Sequence, residues 1–245
     1  MYICHLLIGY HMKKYFFLGC LYLGFVSCSP GEKELLEAGI SKIEVEEYQE
    51  AINYLDRALA INPENIKAYN AKSFALFALK EYQGVVENNL EAIKVNRNDY
   101  KPFYNMANAR LELGQLEEAI TDYTKAIGIK PNEADIYLNR GTAYYRAGAY
   151  PKAIEDFNFA EKLDKNMASI FYNRAKTYLK IDSVELSIRD FTQTINLTPD
   201  HGEAHYWLGL SKILCGNARE GCVNLKKSKA LGYKNAAEVI TKNCE

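Results

Sequence analysis

Proline, histidine and tryptophan are scarce in this 245-residue sequence, which holds six, four and one of them. So few prolines leave long stretches free to form helices, because proline interrupts a helix more strongly than any other residue. The six cysteines include no C-x-x-C pair, and the histidines do not accompany them, so the spacing of a zinc site is absent. The formal net charge is only −1, which argues against a general nucleic-acid-binding protein, whose affinity depends on a basic surface.

The sequence also lacks the short motifs that mark common active sites. There is no G-x-S-x-G, no H-E-x-x-H, no glycine-rich phosphate loop and no S-x-x-K. Pairs of glutamates at helical spacing occur, such as Glu44 and Glu47, but they fall on polar, solvated helix faces, whereas a general acid needs burial. We therefore expect no enzyme activity, no cofactor, no metal site and no small-molecule substrate.

The amino-terminal segment differs in composition from the rest of the chain. From Met12 it begins with two basic residues, Lys13 and Lys14, and continues as an apolar run over residues 15–27. That run is shorter than the ~20 apolar residues that span a bilayer, and it has the length of the hydrophobic part of a signal peptide. We interpret residues 1–27 as a signal peptide and residues 1–11 as an upstream extension from a mis-called start codon.

The end of this segment, "GFVSC", resembles a bacterial lipobox, in which a signal peptidase cuts before a cysteine that then receives acyl chains. Phe25 stands where leucine is usual in that motif. The resemblance implies a lipidated Cys28 and a short tether over residues 28–33, and several acyl chains hold a protein on a membrane more firmly than one chain does. Cleavage before Cys20, a plain cleaved signal and an uncleaved anchor are the alternatives, and the abrupt change to polar residues after Cys28 favours the first interpretation.

From residue 32 onward the sequence repeats itself every 34 residues. The segments 50–65, 118–133 and 152–167 read EAINYLDRALAINPEN, EAITDYTKAIGIKPNE and KAIEDFNFAEKLDKNM. Small residues recur at positions 8, 20 and 27 of each repeat, and large apolar residues recur at positions 4 and 24. Position 8 holds Gly39, Ser73, Ala107, Gly141, Ala175 and Gly209. Alternating small and large residues let antiparallel helices interdigitate at the density of a protein interior.

This period and these columns resemble the tetratricopeptide repeat (TPR), a helix–turn–helix unit of 34 residues. The resemblance implies an all-α, right-handed superhelical solenoid of six TPR helix pairs over residues 32–235, with a capping helix over residues 236–245. The six pairs would span residues 32–65, 66–99, 100–133, 134–167, 168–201 and 202–235. Asn89 and His205 depart from the pattern, because they put polar side chains at positions 24 and 4.

The carboxyl-terminal segment predicts a disulfide. Two antiparallel helices joined near Gly232 would place Cys222 and Cys244 side by side, each ~12–14 Å back from the turn at a rise of about 1.5 Å per residue. Such a bond requires an oxidising compartment, which agrees with export. Cys215 takes position 14, where other repeats carry mostly apolar residues, and we expect it to be a buried thiol that packs as a small hydrophobic residue.

In TPR proteins the ligand usually lies on the concave surface formed by the first helices, so the resemblance implies a groove lined by positions 2, 5, 9 and 12 of each repeat. Aromatic rings with nearby amides suit an extended peptide or an amphipathic helix. The residues expected in this peptide groove are Lys67, Asn70, Lys101, Tyr104, Asn108, Tyr145, Tyr172, Lys176 and Tyr206. Each of them also fits an ordinary core or surface role.

One subset of TPR proteins binds the carboxylate tails of cytosolic chaperones through a clamp of lysine, asparagine and arginine. Asn105, Asn139 and Asn173 match its asparagine, but its first lysine and its arginine are absent, so we do not expect that ligand. The expected function is a non-catalytic scaffold that binds other proteins at the bacterial cell envelope, exported and anchored to a membrane by lipid. Pilotins of type IV pilus assembly and a component of the outer-membrane barrel assembly machine are similar in architecture. The alternative is an accessory subunit of an enzyme that processes envelope polysaccharide or peptidoglycan.

Overall fold

The computed structural model describes residues 30–244, and this part of the chain consists of thirteen α-helices without a strand. The helices are α1 (Glu32–Glu44), α2 (Tyr48–Ile61), α3 (Ile66–Ala78), α4 (Tyr82–Val95), α5 (Tyr100–Glu112), α6 (Leu116–Ile129), α7 (Ala134–Arg146), α8 (Tyr150–Leu163), α9 (Ala168–Lys180), α10 (Val184–Leu197), α11 (Gly202–Leu214), α12 (Ala218–Ala230) and α13 (Ala236–Asn243). The predicted signal peptide, Cys28 and the start of the predicted tether lie outside the described residues. Between residues 30 and 244, no helix has the length and apolar character that a membrane crossing requires.

Helices α1 to α12 form six consecutive pairs, in which the odd-numbered helix is the first member. Each helix packs against the next one along the chain, and successive first helices also contact one another. Within the described residues, second helices of successive pairs do not approach one another as closely. The first helices therefore lie on the inner, concave side of the stack, and the second helices lie on the outer side.

The turn inside every pair contains one residue in the left-handed region of backbone space, at position 15 of the repeat. In three repeats this residue is a glycine, with φ between +75° and +80°: Gly114, Gly148 and Gly216. In the other three it carries a side chain, with φ between +56° and +61°: Glu46, Lys80 and Asp182. Because a side chain in this region costs about 1–2 kcal/mol, the packing of the two helices must impose the turn where glycine is absent.

The predicted columns of small residues form the centre of the core. All twelve residues at positions 20 and 27 are buried. The two departures from the pattern make polar contacts, Asn89 within its own repeat and His205 with the end of the preceding repeat. The amide nitrogen of Asn89 donates to the Ser73 hydroxyl and to the Val85 carbonyl, both at 2.8 Å, and the His205 ring lies 3.0 Å from the carbonyl of Pro199.

Buried ion pairs join the helices of the middle repeats, and the sequence analysis did not anticipate them. The guanidinium of Arg140 donates to both carboxylate oxygens of Asp156, at 2.8 and 2.7 Å. Burial alone would lower the pKa of Arg140, but its contact with Asp156 outweighs that effect and the pKa is raised. One repeat further on, Arg174 donates to Asp190 at 2.6 Å from the nitrogen Nε. Each pair ties a first helix to the second helix of the same repeat.

The last helix, α13, packs against α12 at the carboxyl-terminal end of the stack. Ala236 and Ile240 of α13 are buried together with Leu225 of α12. Cys222 and Cys244 form a disulfide with an S–S distance of 2.06 Å, and their Cα atoms lie 5.7 Å apart. The covalent bond therefore fixes the end of α13 to the second helix of the last pair.

The expectation of a buried Cys215 is wrong, because its side chain is exposed. Position 14 is the carboxyl-terminal cap of each first helix and lies at the turn, outside the contact between the two helices. Its apolar occupants in other repeats are exposed as well, by 36% to 61%: Val45, Leu79, Leu113 and Ile181. An apolar residue type at a helix end did not indicate burial here.

Candidate peptide-binding groove

A cavity of about 410 Å³ lies on the concave side, between the first helices α3 and α5. Asn70 of α3 and Lys101, Tyr104 and Asn108 of α5 line it, and all four are predicted groove residues. These positions are three or four residues apart on their helices and therefore share one helix face. The cavity exists because two neighbouring first helices present that face to the same space.

Two phenylalanine rings form the apolar wall of this cavity. Phe74 is 58% exposed and Phe77 is 38% exposed, although rings of this size are usually buried in a folded protein. The Phe77 ring packs edge-on against Tyr82 with centroids 5.2 Å apart, so a neighbouring helix fixes its orientation. The wall therefore offers a preformed apolar contact surface for the side chain of a ligand.

Polar groups face the same cavity. The side-chain oxygen of Asn70 is enclosed, yet no group among the described residues donates a hydrogen bond to it. Lys101 is exposed on the wall that α5 provides. A carboxylate of a bound peptide can pair with Lys101.

A hydrogen-bond network holds the floor of the groove across two repeats. The amide of Asn139 on α7 donates to the Tyr104 hydroxyl at 2.9 Å and to the Asn108 side-chain oxygen at 3.1 Å. The Tyr123 hydroxyl donates to the same Asn108 oxygen at 2.5 Å. Burial raises the pKa of the Tyr104 hydroxyl, and its bonds to Asn108 and Asn139 oppose this effect only in part. Tyr104 and Asn108 are thus fixed in place before any ligand binds.

The groove continues toward α7 through a second cavity of about 220 Å³. This cavity shares Lys101, Tyr104 and Asn105 with the first one and adds two carboxylates, Glu133 and Asp135. The groove therefore changes from basic and apolar beside α3 to acidic beside α7. A ligand that lies along both cavities would meet each charge in a fixed order.

The other predicted groove residues do not join this site. Lys67 is exposed on α3 without lining the cavity. Farther along the concave side, side chains of the repeats themselves contact the predicted aromatic residues. Tyr145 packs against Tyr150, Tyr172 stacks on His201 with Lys176 above its ring, and Tyr206 packs against Tyr233.

A further cavity, of about 820 Å³, lies on the outer side between the second helices α8 and α10. Its floor is the Arg174–Asp190 pair, and Arg174 also donates to Asn158 at 2.7 Å and contacts Glu161. A similar cleft of about 500 Å³ separates α2 from α4, so such gaps recur between second helices. The donors of Arg174 are already used within the protein, and this cleft is the weaker candidate. In residues 30–244 no cluster of three His, Cys, Asp or Glu side chains could hold a metal ion.

The predicted set of groove residues did not include Phe74 or Phe77, although both occupy expected groove positions, 9 and 12. The available signal was the residue type at position 9, where Phe74 stands in place of the smaller or polar Asn108, Thr142 and Lys176. Position 9 also holds Ile40 and Leu210, so a large ring there fits either a core contact or a ligand contact, and its exposure decides between the two.

Comparison with protein families identifies the repeats. A tetratricopeptide-repeat model matches residues 36–65, and a second TPR repeat model matches residues 107–148 and 141–182. The chain therefore contains tetratricopeptide repeats. No curated protein matches the sequence.

Solved structures share the fold at low sequence identity. The crystal structure of the APC/C hetero-tetramer Cut9–Hcn1 matches with a TM-score of 0.73 and 16% identity over 88% of this chain, which spans only 43% of that chain. The PilF protein of Pseudomonas aeruginosa matches with a TM-score of 0.72 and 16% identity, covering 86% of this chain and 97% of that one. YrrB, described as a TPR protein with an unusual peptide-binding site, matches with a TM-score of 0.58 and 20% identity over 70% of this chain and 88% of its own. These similarities confirm the predicted all-α TPR solenoid and carry no further information about function.

Proposed function

We propose that this chain of tetratricopeptide repeats is a non-catalytic scaffold that binds a peptide or helical segment of another protein in the groove between α3 and α5. TPR proteins in general act as interaction scaffolds, and one of the structural relatives, YrrB, is described as a TPR protein with an unusual peptide-binding site. The observation that carries the proposal is the cavity that combines two exposed phenylalanine rings with the exposed Lys101 side chain.

The groove suits a segment with an apolar side chain and an acidic group close together. The rings of Phe74 and Phe77 would bury the apolar side chain, which contributes about 25 cal/mol for each Å² removed from water. The exposed Lys101 side chain would pair with the acidic group. Because Tyr104 and Asn108 are already held by Asn139, the peptide would order few protein side chains on binding.

Photocrosslinking in cells tests this site. A photoreactive phenylalanine analogue at position 74 should capture the partner, and the same analogue at position 159 is the matched control. Phe159 is 40% exposed, comparable to the groove rings, but it lies on α8, a second helix on the outer side. Phe77→Ala should reduce capture from position 74 by about tenfold, because it removes an apolar contact worth about 1–2 kcal/mol. Equal capture of the same proteins from both positions would place the partner elsewhere.

We also propose that the protein is exported and held at the bacterial cell envelope by acyl chains on Cys28. The lipobox-like sequence before Cys28 supports this proposal. The Cys222–Cys244 bond supports it as well, because disulfides persist mainly in oxidising compartments. The partner would then be another envelope protein.

A further inference from the structure

The two terminal repeats of this protein carry net charges of opposite sign. The first repeat, residues 32–65, contains nine acidic and three basic residues, so its net charge is −6. The sixth repeat, residues 202–235, contains six Lys and Arg residues against two acidic residues, so its net charge is +4. The four repeats between them sum to zero. We call the exposed surface of the first repeat the head and that of the sixth repeat the tail.

Within residues 30–244, no helix packs on the amino-terminal side of the head. Positions 3 and 10 of the first helix are buried in the other repeats, where their occupants include Ile136, Ala143 and Ile170. In the first repeat these positions hold Glu34 and Ser41, and both are exposed. The end of the described stack therefore exposes the Glu34 carboxylate and the Ser41 side chain at positions that are buried in every later repeat. Four further glutamates of the head are exposed and lie on α1 or in the turns that follow α1 and α2: Glu37, Glu44, Glu46 and Glu64.

The tail combines basic groups with exposed apolar side chains. Lys226, Lys227 and Lys229 are all exposed on α12. Leu214 and Val223, in the same repeat, are 72% and 64% exposed and are the two most exposed large apolar residues of the described chain. Val223 occupies position 22, which is polar in every earlier repeat: Asn53, Glu87, Thr121, Glu155 and Arg189. Exposed apolar side chains with a rim of polar or charged residues are typical of a protein-binding surface.

We propose that the head of one molecule docks on the tail of a second copy of this chain, so that molecules associate end to end. The two surfaces belong to the same sequence and carry opposite charge of similar size, −6 against +4. Complementary potentials of this kind steer association and fix which surfaces meet. Because the head and the tail are different surfaces, the contact is heterologous and leaves one free head and one free tail, which allows chains longer than two. The proposal does not depend on the groove.

Sedimentation velocity of the full chain in a nonionic detergent tests the association. At about 0.01 M salt the Debye length is about 30 Å and the charged ends attract one another, whereas at about 1 M salt it is about 3 Å and the attraction is screened. We expect the mean mass to rise with protein concentration at low salt and to fall to that of a monomer at high salt. Monomers at low salt over the whole concentration range would overturn the proposal.

Charge-swap variants show whether these two surfaces meet each other. Glu→Lys at positions 37, 44, 46 and 64 changes the head from −6 to +2, and Lys→Glu at positions 226, 227 and 229 changes the tail from +4 to −2. Each set alone should abolish association at low salt, and the combined variant should recover it, because head and tail again have opposite charge. Failure of the folded combined variant to associate contradicts a head-to-tail contact.

A matched control variant shows whether the location of the changed residues or the change in total charge causes the loss of association. Arg97, Lys162 and Lys180 are exposed basic residues of the central repeats, and changing all three to Glu alters the net charge of the molecule as much as the tail set does. This control should associate like the unmodified chain, and circular dichroism should show equal helix content in every variant. If the unmodified chain stays monomeric but floats with phosphatidylglycerol vesicles through Lys226, Lys227 and Lys229, the tail binds anionic lipid and the proposal of a second copy is wrong.

Discussion

At the scale of single residues, position 15 of each turn adopts a left-handed backbone conformation whether or not the residue there is glycine. Lys80 adopts φ +61° where Gly114 and Gly148 adopt similar angles without a side chain. We expect Lys80→Gly to stabilise the protein by about 0.5–1 kcal/mol, because the strain it relieves exceeds the added freedom of the unfolded chain. Gly114→Lys should destabilise it by about 1 kcal/mol. Urea unfolding measures both changes, and shifts of the two midpoints in the same direction would show that strain at this turn is not the dominant effect.

Close packing of two helix backbones gives a second prediction at this scale. A Cβ atom added to Gly209 would lie 2.9 Å from the carbonyl oxygen of Gly221, and one added to Gly221 would lie 2.7 Å from the carbonyl oxygen of Gly209. Backbone atoms cannot move aside as a flexible side chain can, so Gly209→Ala should destabilise the protein by about 1–3 kcal/mol. Gly128 is the matched control, since it is also helical and has no atom within 4 Å of an added Cβ. Gly128→Ala should stabilise by about 0.4–1 kcal/mol, and an equal loss at both sites would argue against a packing effect.

At the scale of helices, the helix pairs could be predicted from the sequence. Small residues that recur at a fixed period mark the places where two helices pack closely. The columns at positions 20 and 27 are buried in all six repeats, as expected. The same logic failed at position 14, since an apolar residue at a helix end can face the turn, as Val45 and Cys215 do. It also missed Arg174 and Asp190, because single-residue hydrophobicity places both on the surface and only their pairing permits burial.

The groove could be predicted only in part for a similar reason. Period and residue type identified Asn70, Lys101, Tyr104 and Asn108. They did not reveal that Tyr172 stacks on His201, a contact within the carboxyl-terminal half of the stack. Whether an aromatic residue on the concave side is free for a ligand depends on the side chains that pack against it from the turns and from neighbouring helices, and the spacing along one helix contains no information about them.

The capping helix gives a prediction at the scale of one element. α13 has only eight residues, so its packing on α12 depends strongly on the disulfide between Cys222 and Cys244, which are 22 residues apart in sequence. Reduction, or Cys244→Ser, should destabilise the carboxyl-terminal end by about 3 kcal/mol through the entropy of the opened loop. Since each repeat contacts only its neighbours, hydrogen exchange should accelerate in α12 and α13 and remain unchanged in α3 to α8. Uniform acceleration along the chain would mean that the stack unfolds as one unit.

At the scale of the whole molecule, three surfaces have different chemistry. The groove beside α3 combines apolar rings with amides, the head is acidic, and the tail is basic with exposed Leu214 and Val223. A partner in the groove and a neighbour at either end would occupy separate repeats, so the two kinds of binding need not compete. Salt should separate them, because it screens contacts between exposed charges but affects burial of apolar rings much less.

The proposed anchor concerns the part of the chain before residue 30, and its prediction distinguishes two cysteines. Cells supplied with a clickable analogue of palmitate should label the protein through Cys28. We expect Cys28→Ser to lose the label completely, because its thiol is the proposed acyl acceptor, and Cys20→Ser, which changes the alternative site, to keep it. Mass spectrometry of the labelled protein should show a mature chain that begins at Cys28. Labelling that survives Cys28→Ser, or that disappears only in Cys20→Ser, would exclude Cys28 as the lipid-bearing residue. Cleavage without acylation would release from the membrane a protein that still carries the groove and the two charged ends. A partner captured at the membrane would then have to be anchored there by itself.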